Sequence, residues 1–134
     1  MFKAIAARAY KTAFACVLGG MFVSMPAVVH AKGSFPPDQI VTMRVAQLPP
    51  QGRVTYALIR QGGPFPYDQD GAVFGNRERI LPPYKRGYYR EYTVATSGVR
   101  HRGARRIVCG GKPVTPDACY YTADHYNSFR QLIE

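Results

Sequence analysis

Apolar and polar residues alternate along this chain in short runs, broken once by a helical period. Val41, Met43 and Val45 alternate with Thr42 and Arg44, which predicts a strand over Ile40 to Leu48. Pro49-Pro50 stops that strand and suits the first turn of a helix. Val54, Leu58 and Gln61 then recur at helical spacing with Tyr56, Ala57 and Ile59 beside them, predicting one amphipathic helix over Gln51 to Gln61 that Gly62-Gly63 ends. Pro64 to Asn76, PFPYDQDGAVFGN, reads as a long ordered loop with aromatic pins at Phe65, Tyr67 and Phe74. Alternation resumes from Tyr88 to Ala95, where Glu91, Thr93 and Ala95 share a face. Ser97-Gly98 marks a turn, and Arg106 to Cys109 suits an adjacent antiparallel strand. A turn through Gly110 to Pro113, a strand around Cys119 to Thr122 and a last strand near Phe129 to Ile133 complete the order. One early helix followed by a run of strands predicts an α+β domain, the helix packed on a mainly antiparallel sheet.

The first 31 residues do not share this pattern. Lys3, Arg8 and Lys11 precede an apolar run from Thr12 to Val29, and Val29-His30-Ala31 offers small residues where a signal peptidase cuts. Residues 1–31 read as a secretory signal; Pro26 and the cleavage pattern favour this over a retained membrane anchor. Residues 32–40 read as a flexible lead-in and 41–134 as the functional domain, with no internal repeat and no room for a second domain. Without Lys3, Arg8 and Lys11 the 18 basic residues become 15 against 8 acidic ones, a formal charge of +7. Such a charge suits a polyanion (RNA, DNA, an acidic glycan or an anionic membrane surface) without choosing among them. Cys16 leaves with the signal, and Cys109 and Cys119 are expected to pair in an oxidising compartment. Two cysteines with no neighbouring ligand set do not complete a tetrahedral zinc site.

Candidate chemistry concentrates in Arg90 to Arg106, REYTVATSGVRHRGARR, where one carboxylate sits among arginines. If the two strands pair, Glu91 comes within reach of guanidinium groups, and the surplus positive charge would hold an anion beside it. A base next to a held phosphate is what proton abstraction near a phosphodiester needs. Each residue alone also has a plainer reading. Arg100, Arg102, Arg105 and Arg106 suit a solvated RNA-binding face, His125 a structural histidine, Glu78 an exposed loop acid, and His101 the surface. Tyr88, Tyr89, Tyr92, Tyr120 and Tyr121 suit packing.

Taken together, GAVFGNRE at Gly71 to Glu78, GYYREYTVATSGVRHRGARR at Gly87 to Arg106 and YYTADHY at Tyr120 to Tyr126 resemble the secreted guanyl-specific ribonucleases of bacteria, the group of barnase and, much nearer, the streptomycete enzymes. The resemblance runs from about Val45 to the C-terminus and implies the microbial ribonuclease fold. It implies Glu91 as the general base on the ribose 2′-hydroxyl and His125 as the general acid on the departing 5′-oxygen. It implies Arg102 and Arg106 as the pair holding the scissile phosphate, with the Tyr126 hydroxyl near it. Glu78 is implied as the carboxylate that reads the guanine N1 and exocyclic amino groups. The backbone amides of Gly75, Asn76 and Arg77 are implied as contacts to the base oxygen and N7, and Phe74 as the ring that stacks on it. The chain departs from the family at Gly75, where a longer polar residue is usual, and it lacks the disulfide that joins the two ends of the streptomycete domain. Cys109–Cys119 offers a different staple.

The implied reaction is cleavage of single-stranded RNA 3′ of guanosine through a 2′,3′-cyclic phosphate. A carboxylate near pKa ~4.3 and an imidazole near ~6.5 suit it in the window between them. The attacking hydroxyl belongs to the substrate, so no cofactor, metal or nucleophilic side chain is expected. Lacking that hydroxyl, DNA could bind but not be cut this way. The implied partners are single-stranded RNA and a small acidic protein inhibitor of the barstar kind. The enzyme is expected to be monomeric, free of membrane after signal removal, and extracellular or periplasmic. The rival from another class is a non-catalytic secreted basic protein that binds RNA or another polyanion on the same fold.

Overall fold

The computed structural model describes residues 40–134; the expected signal, residues 1–31, and residues 32–39 of the expected lead-in lie outside the described residues. Strand β1 spans Thr42–Arg44, a 3-10 turn spans Val45–Gln47, and helix α1 spans Pro50–Gln61. Strands β2 (Ala72–Val73), β3 (Tyr89–Thr93), β4 (Arg106–Gly111), β5 (Pro116–Thr122) and β6 (Arg130–Ile133) follow. They form one six-stranded sheet in the order β1-β6-β5-β4-β3-β2, antiparallel throughout except for the parallel pairing of β1 with β6.

The helix begins where its prolines dictate, with Pro50 in its first turn, and ends at Gly62, whose φ of 85° lets the chain leave through the left-handed region. Its inner face buries Gly52, Thr55 and Ile59. Gly52 lies so near Leu48 that an added Cβ would sit 3.2 Å from the Leu48 Cβ. The Thr55 hydroxyl donates to the Thr93 carbonyl at 3.1 Å and ties the helix to β3.

Period-2 alternation divides the sheet into two apolar faces. Tyr92, Ile107, Cys109, Cys119 and Tyr121 face the helix with Leu48, Ile59 and Leu132. Tyr89, Val108 and Tyr120 face the other way, with Leu81 and Phe129 closing over them. The tyrosines are thus packing residues, as their alternation predicts. Cys109 and Cys119 are direct cross-strand partners of β4 and β5 and form a disulfide on the helix side.

Two expectations need correction. The strand predicted over Ile40 to Leu48 contracts to Thr42–Arg44, because the Arg44 backbone N–H is taken by the Gln47 side chain and the chain tightens into the 3-10 turn. The loop predicted over Pro64 to Asn76 contains β2, whose edge pairing is supported by hydrogen bonds from Gly71 N–H to Glu91 O and from Phe74 N–H to Tyr89 O. The chain turns at Ser97-Gly98 and β4 begins at Arg106, both as expected, so a long connection joins β3 to β4.

Candidate active site

The second face of the sheet carries the chemistry. Tyr89, Glu91 and Thr93 project from β3 on the side opposite Tyr92, and in the β3–β4 register Arg106 lies across from Thr93 and Val108 across from Glu91. Arg102, from the connection before β4, lies along this face: its Nε donates to the Thr93 hydroxyl at 2.9 Å and an NH2 group to the Glu91 carboxylate at 3.2 Å. That ion pair is partly buried, which fixes the guanidinium plane beside the carboxylate.

Arg106 is buried, 3% exposed. One of its terminal nitrogens donates to the Arg105 carbonyl at 2.7 Å, while its Nε has no partner among the described residues. Its guanidinium is a permanent charge held inside the protein. Arg90, by contrast, points to the other face and donates to the Gly71 carbonyl at 2.8 Å. Of the arginines in the Arg90–Arg106 stretch, only Arg102 is ion-paired with Glu91 among the described residues. Arg100 and His101 are exposed.

His125 and Tyr126 lie in the turn after β5, not on a strand, and both adopt left-handed backbone, φ 55° and 70°. Side chains hold the turn. The Thr122 hydroxyl accepts from Tyr126 N–H at 3.2 Å and donates to Asp124 at 2.9 Å. Asp124 also accepts from Ser128 N–H at 2.9 Å and from the Ser128 hydroxyl at 2.6 Å. These bonds, the Ser128 hydroxyl first among them, hold the Asp124 carboxyl below its ordinary pKa. The His125 N–H donates to Ala104 O, which ties the turn to the connection carrying Arg102. Tyr126 reaches back to donate its hydroxyl to Glu91. Burial, reinforced by that carboxylate, pushes the Tyr126 hydroxyl up to about 12, so it is a donor at neutral pH.

Opposite stands the loop after β2. Asn76 takes a left-handed conformation, φ 47°, and its side chain bridges the loop: Nδ2 donates to Leu81 O at 2.9 Å and Oδ1 accepts from Leu81 N–H at 3.2 Å. Its side chain is therefore spent on shaping the loop. Phe74 stacks on Tyr126 with ring centroids 4.9 Å apart.

Between loop and turn lies a cavity of about 760 Å³ lined by Phe74 to Glu78, Glu91, His125 and Tyr126. The implied base, acid and base-reading residues thus surround one cleft; Arg102 and Arg106 are not among its lining residues, and Arg102 is tied to it by its ion pair with Glu91. Val73, Ile80, Asn127 and Phe129 also line it and were not singled out by sequence. Asn127 is part of the turn itself, its side-chain amide donating to Asp124 O at 2.7 Å, a bond that no periodicity signals.

The ribonuclease family model matches residues 33–133. The chain is 53% identical over 91 residues to guanyl-specific ribonuclease St of Saccharopolyspora erythraea, covering 68% of this chain and 86% of that protein. It is 56% identical over 85 residues to guanyl-specific ribonuclease Sa3 of Kitasatospora aureofaciens, covering 63% of this chain and 58% of that one. Among solved structures, ribonuclease Sa2 with guanosine-2'-cyclophosphate is similar at a TM-score of 0.64 and 42% identity, over 70% of this chain and 96% of its own. With a family model spanning the described domain, more than half of the aligned residues shared with ribonuclease St and the same fold as Sa2, this chain belongs to the family of guanyl-specific ribonucleases.

Proposed function

We propose that Glu91 and His125 are the base and acid with which this guanyl-specific endoribonuclease cuts single-stranded RNA 3′ of guanosine, forming a 2′,3′-cyclic phosphate. The observation that carries the assignment is their convergence, with Phe74 to Glu78, on one cavity. Glu91 takes the proton of the ribose 2′-hydroxyl, whose oxygen attacks phosphorus. His125 gives a proton to the departing 5′-oxygen. Cyclic phosphate hydrolysis reverses the roles, since the same path is run backwards with water in place of the leaving nucleoside. Arg102 and Arg106 neutralise the phosphoryl oxygens as they gain charge, and the Tyr126 hydroxyl supplies a neutral donor beside them. Glu78 accepts from guanine N1 and its amino group, while the amides of Gly75, Asn76 and Arg77 meet its acceptors over Phe74.

Export of the domain is part of the same proposal. The disulfide supports it, because such bonds persist in oxidising compartments. A monomer, free of membrane after signal removal, is sufficient for the chemistry, and a small acidic protein that covers the cleft fits the positive charge of the chain.

The test uses guanylyl dinucleotides in chelator. Wild type is expected to cut after guanosine with a bell-shaped pH profile and to leave a cyclic phosphate end. Glu91→Gln should lose about 10²–10⁴-fold in kcat while remaining folded. Equal cutting after adenosine would remove Glu78 from its role. Mature protein that retards RNA on a gel and leaves it intact would overturn the enzymatic reading.

A further inference from the structure

A second cleft, of about 600 Å³, opens at the edge where the segment before β3 meets the β4–β5 turn. Its construction is specific. The Tyr88 ring lies across Gly110 so closely that a Cβ there would be 2.2 Å from a ring carbon, so a side chain at this position would displace the ring. The Tyr88 hydroxyl donates to Asp117 at 3.0 Å, which fixes the ring in its plane. Tyr84 then stacks on Tyr88, ring centroids 3.8 Å apart and planes 15° from parallel, with 59% of its surface still exposed. The result is a supported aromatic platform whose outer layer is open.

Positive charge surrounds it. Lys85 and Tyr88 close a turn, Tyr88 N–H to Lys85 O at 3.1 Å, with Gly87 at φ 93° as its third residue. That turn presents Lys85 and Arg86 on one side of the cleft, and Lys112 rises from the other. All three are exposed, and none makes an ion pair among the described residues. Asp117 is the cleft's one lining carboxylate, and it is engaged by Tyr88.

Stacking face and unpaired cations together are what a flexible polyanion with planar bases requires: the ring accepts a base of any identity, and the cations track its phosphates. We infer that this cleft and the Tyr84 ring stacked beside it form an auxiliary subsite for single-stranded RNA, in which Tyr84 stacks a base remote from the cut and Lys85, Arg86 and Lys112, which line the cleft, hold the flanking phosphates. It rests on the proposed RNA substrate. The position suits one strand engaging both sites, because Asn76 ties the guanine-side loop to Leu81, and Tyr84 is three residues beyond, at most ~11 Å along the chain.

The test compares a guanylyl dinucleotide, too short to reach the cleft, with a single-guanosine oligonucleotide extended on both sides. Tyr84→Ala and the triple variant Lys85→Gln, Arg86→Gln, Lys112→Gln alter surface residues outside the proposed catalytic groups. For the oligonucleotide, Tyr84→Ala is expected to raise KM about tenfold. The triple variant should reduce the salt dependence of log affinity by about 2 in slope, near 0.7 for each single-strand phosphate released. Dinucleotide cleavage should stay within about twofold in both.

Unchanged oligonucleotide kinetics would overturn the inference, as would equal losses on both substrates. A second readout uses the same oligonucleotide with 2′-deoxyguanosine at the cut, which binds without reacting. If even wild type fails to cut the dinucleotide, the proposed function falls, yet this binding arm still reports on the cleft. Variants that weaken a sulfated glycan while leaving oligonucleotide binding intact would assign the cleft to another polyanion and overturn the RNA subsite.

Discussion

His125 and Tyr126 occupy left-handed backbone side by side, a conformation that costs a non-glycine residue of order 1–3 kcal/mol unless its surroundings enforce it. The enforcement here is Thr122 and Asp124, whose side chains take the turn's own N–H groups. Asparagine tolerates that backbone better than histidine. His125→Asn is therefore expected to unfold at an equal or higher temperature while losing about 10²–10⁴-fold in kcat, measured by calorimetry and dinucleotide cleavage. Asp124 gives a pH signature. Its pKa is lowered in the folded state from an ordinary 3.8, so its stabilisation is present above that value and is lost as pH falls through the folded value. Asp124→Asn should melt below wild type at neutral pH, and the two melting curves should converge in strong acid. A gap that persists in acid would mean the carboxylate charge does not hold the turn. Because the turn carries His125, the same variant should lower kcat more than it raises KM.

Elements were legible where periodicity alone decides them. The β3 alternation assigns Glu91 and Thr93 to one face, and Arg102 joins both there. The helix follows from its proline start and glycine end. What sequence did not disclose depends on bonds between distant backbone groups. Strand β2 exists through pairing with the edge of β3, and β1 is parallel to β6 although most of the chain lies between them. The turn holding His125 depends on side-chain acceptors rather than on apolar spacing, so the residue read as following a strand sits in a left-handed corner. Family resemblance supplied the role of His125, which spacing alone could not. The helix-to-sheet link offers a test at this scale. Thr55→Val removes the hydroxyl that donates to the Thr93 carbonyl, which is buried between α1 and β3. Leaving that acceptor unsatisfied should cost about 1–3 kcal/mol in denaturant unfolding. Thr93 also carries the side chain that seats Arg102, so a loss of activity in Thr55→Val exceeding its loss of folded protein would show that the helix sets the site through β3.

At the scale of the whole molecule, two features set the conditions under which the domain stays folded. The Cys109–Cys119 bond closes a short loop on the helix side, and its removal should cost slightly under about 3 kcal/mol if chain entropy dominates. Tyrosine burial sets the alkaline limit. Tyr89, Tyr92, Tyr120 and Tyr121 are all buried and all held above their ordinary pKa of 10.0, burial being the first cause for each. Tyr126 is raised to about 12 by burial and by Glu91. A raised value means that the folded state keeps protons which the unfolded chain releases. The stabilisation is complete below about pH 10 and is lost as pH climbs through the folded values. Each buried tyrosine can steepen the decline by up to about 1.4 kcal/mol per pH unit, and several titrate over the same interval. The melting temperature is therefore expected to fall sharply above about pH 10, with the tyrosinate absorbance of these buried rings appearing together with unfolding rather than before it. Ionisation of these tyrosines in protein that remains folded would show that the two packed faces of the sheet are open to water, and the division of the core drawn here would fail.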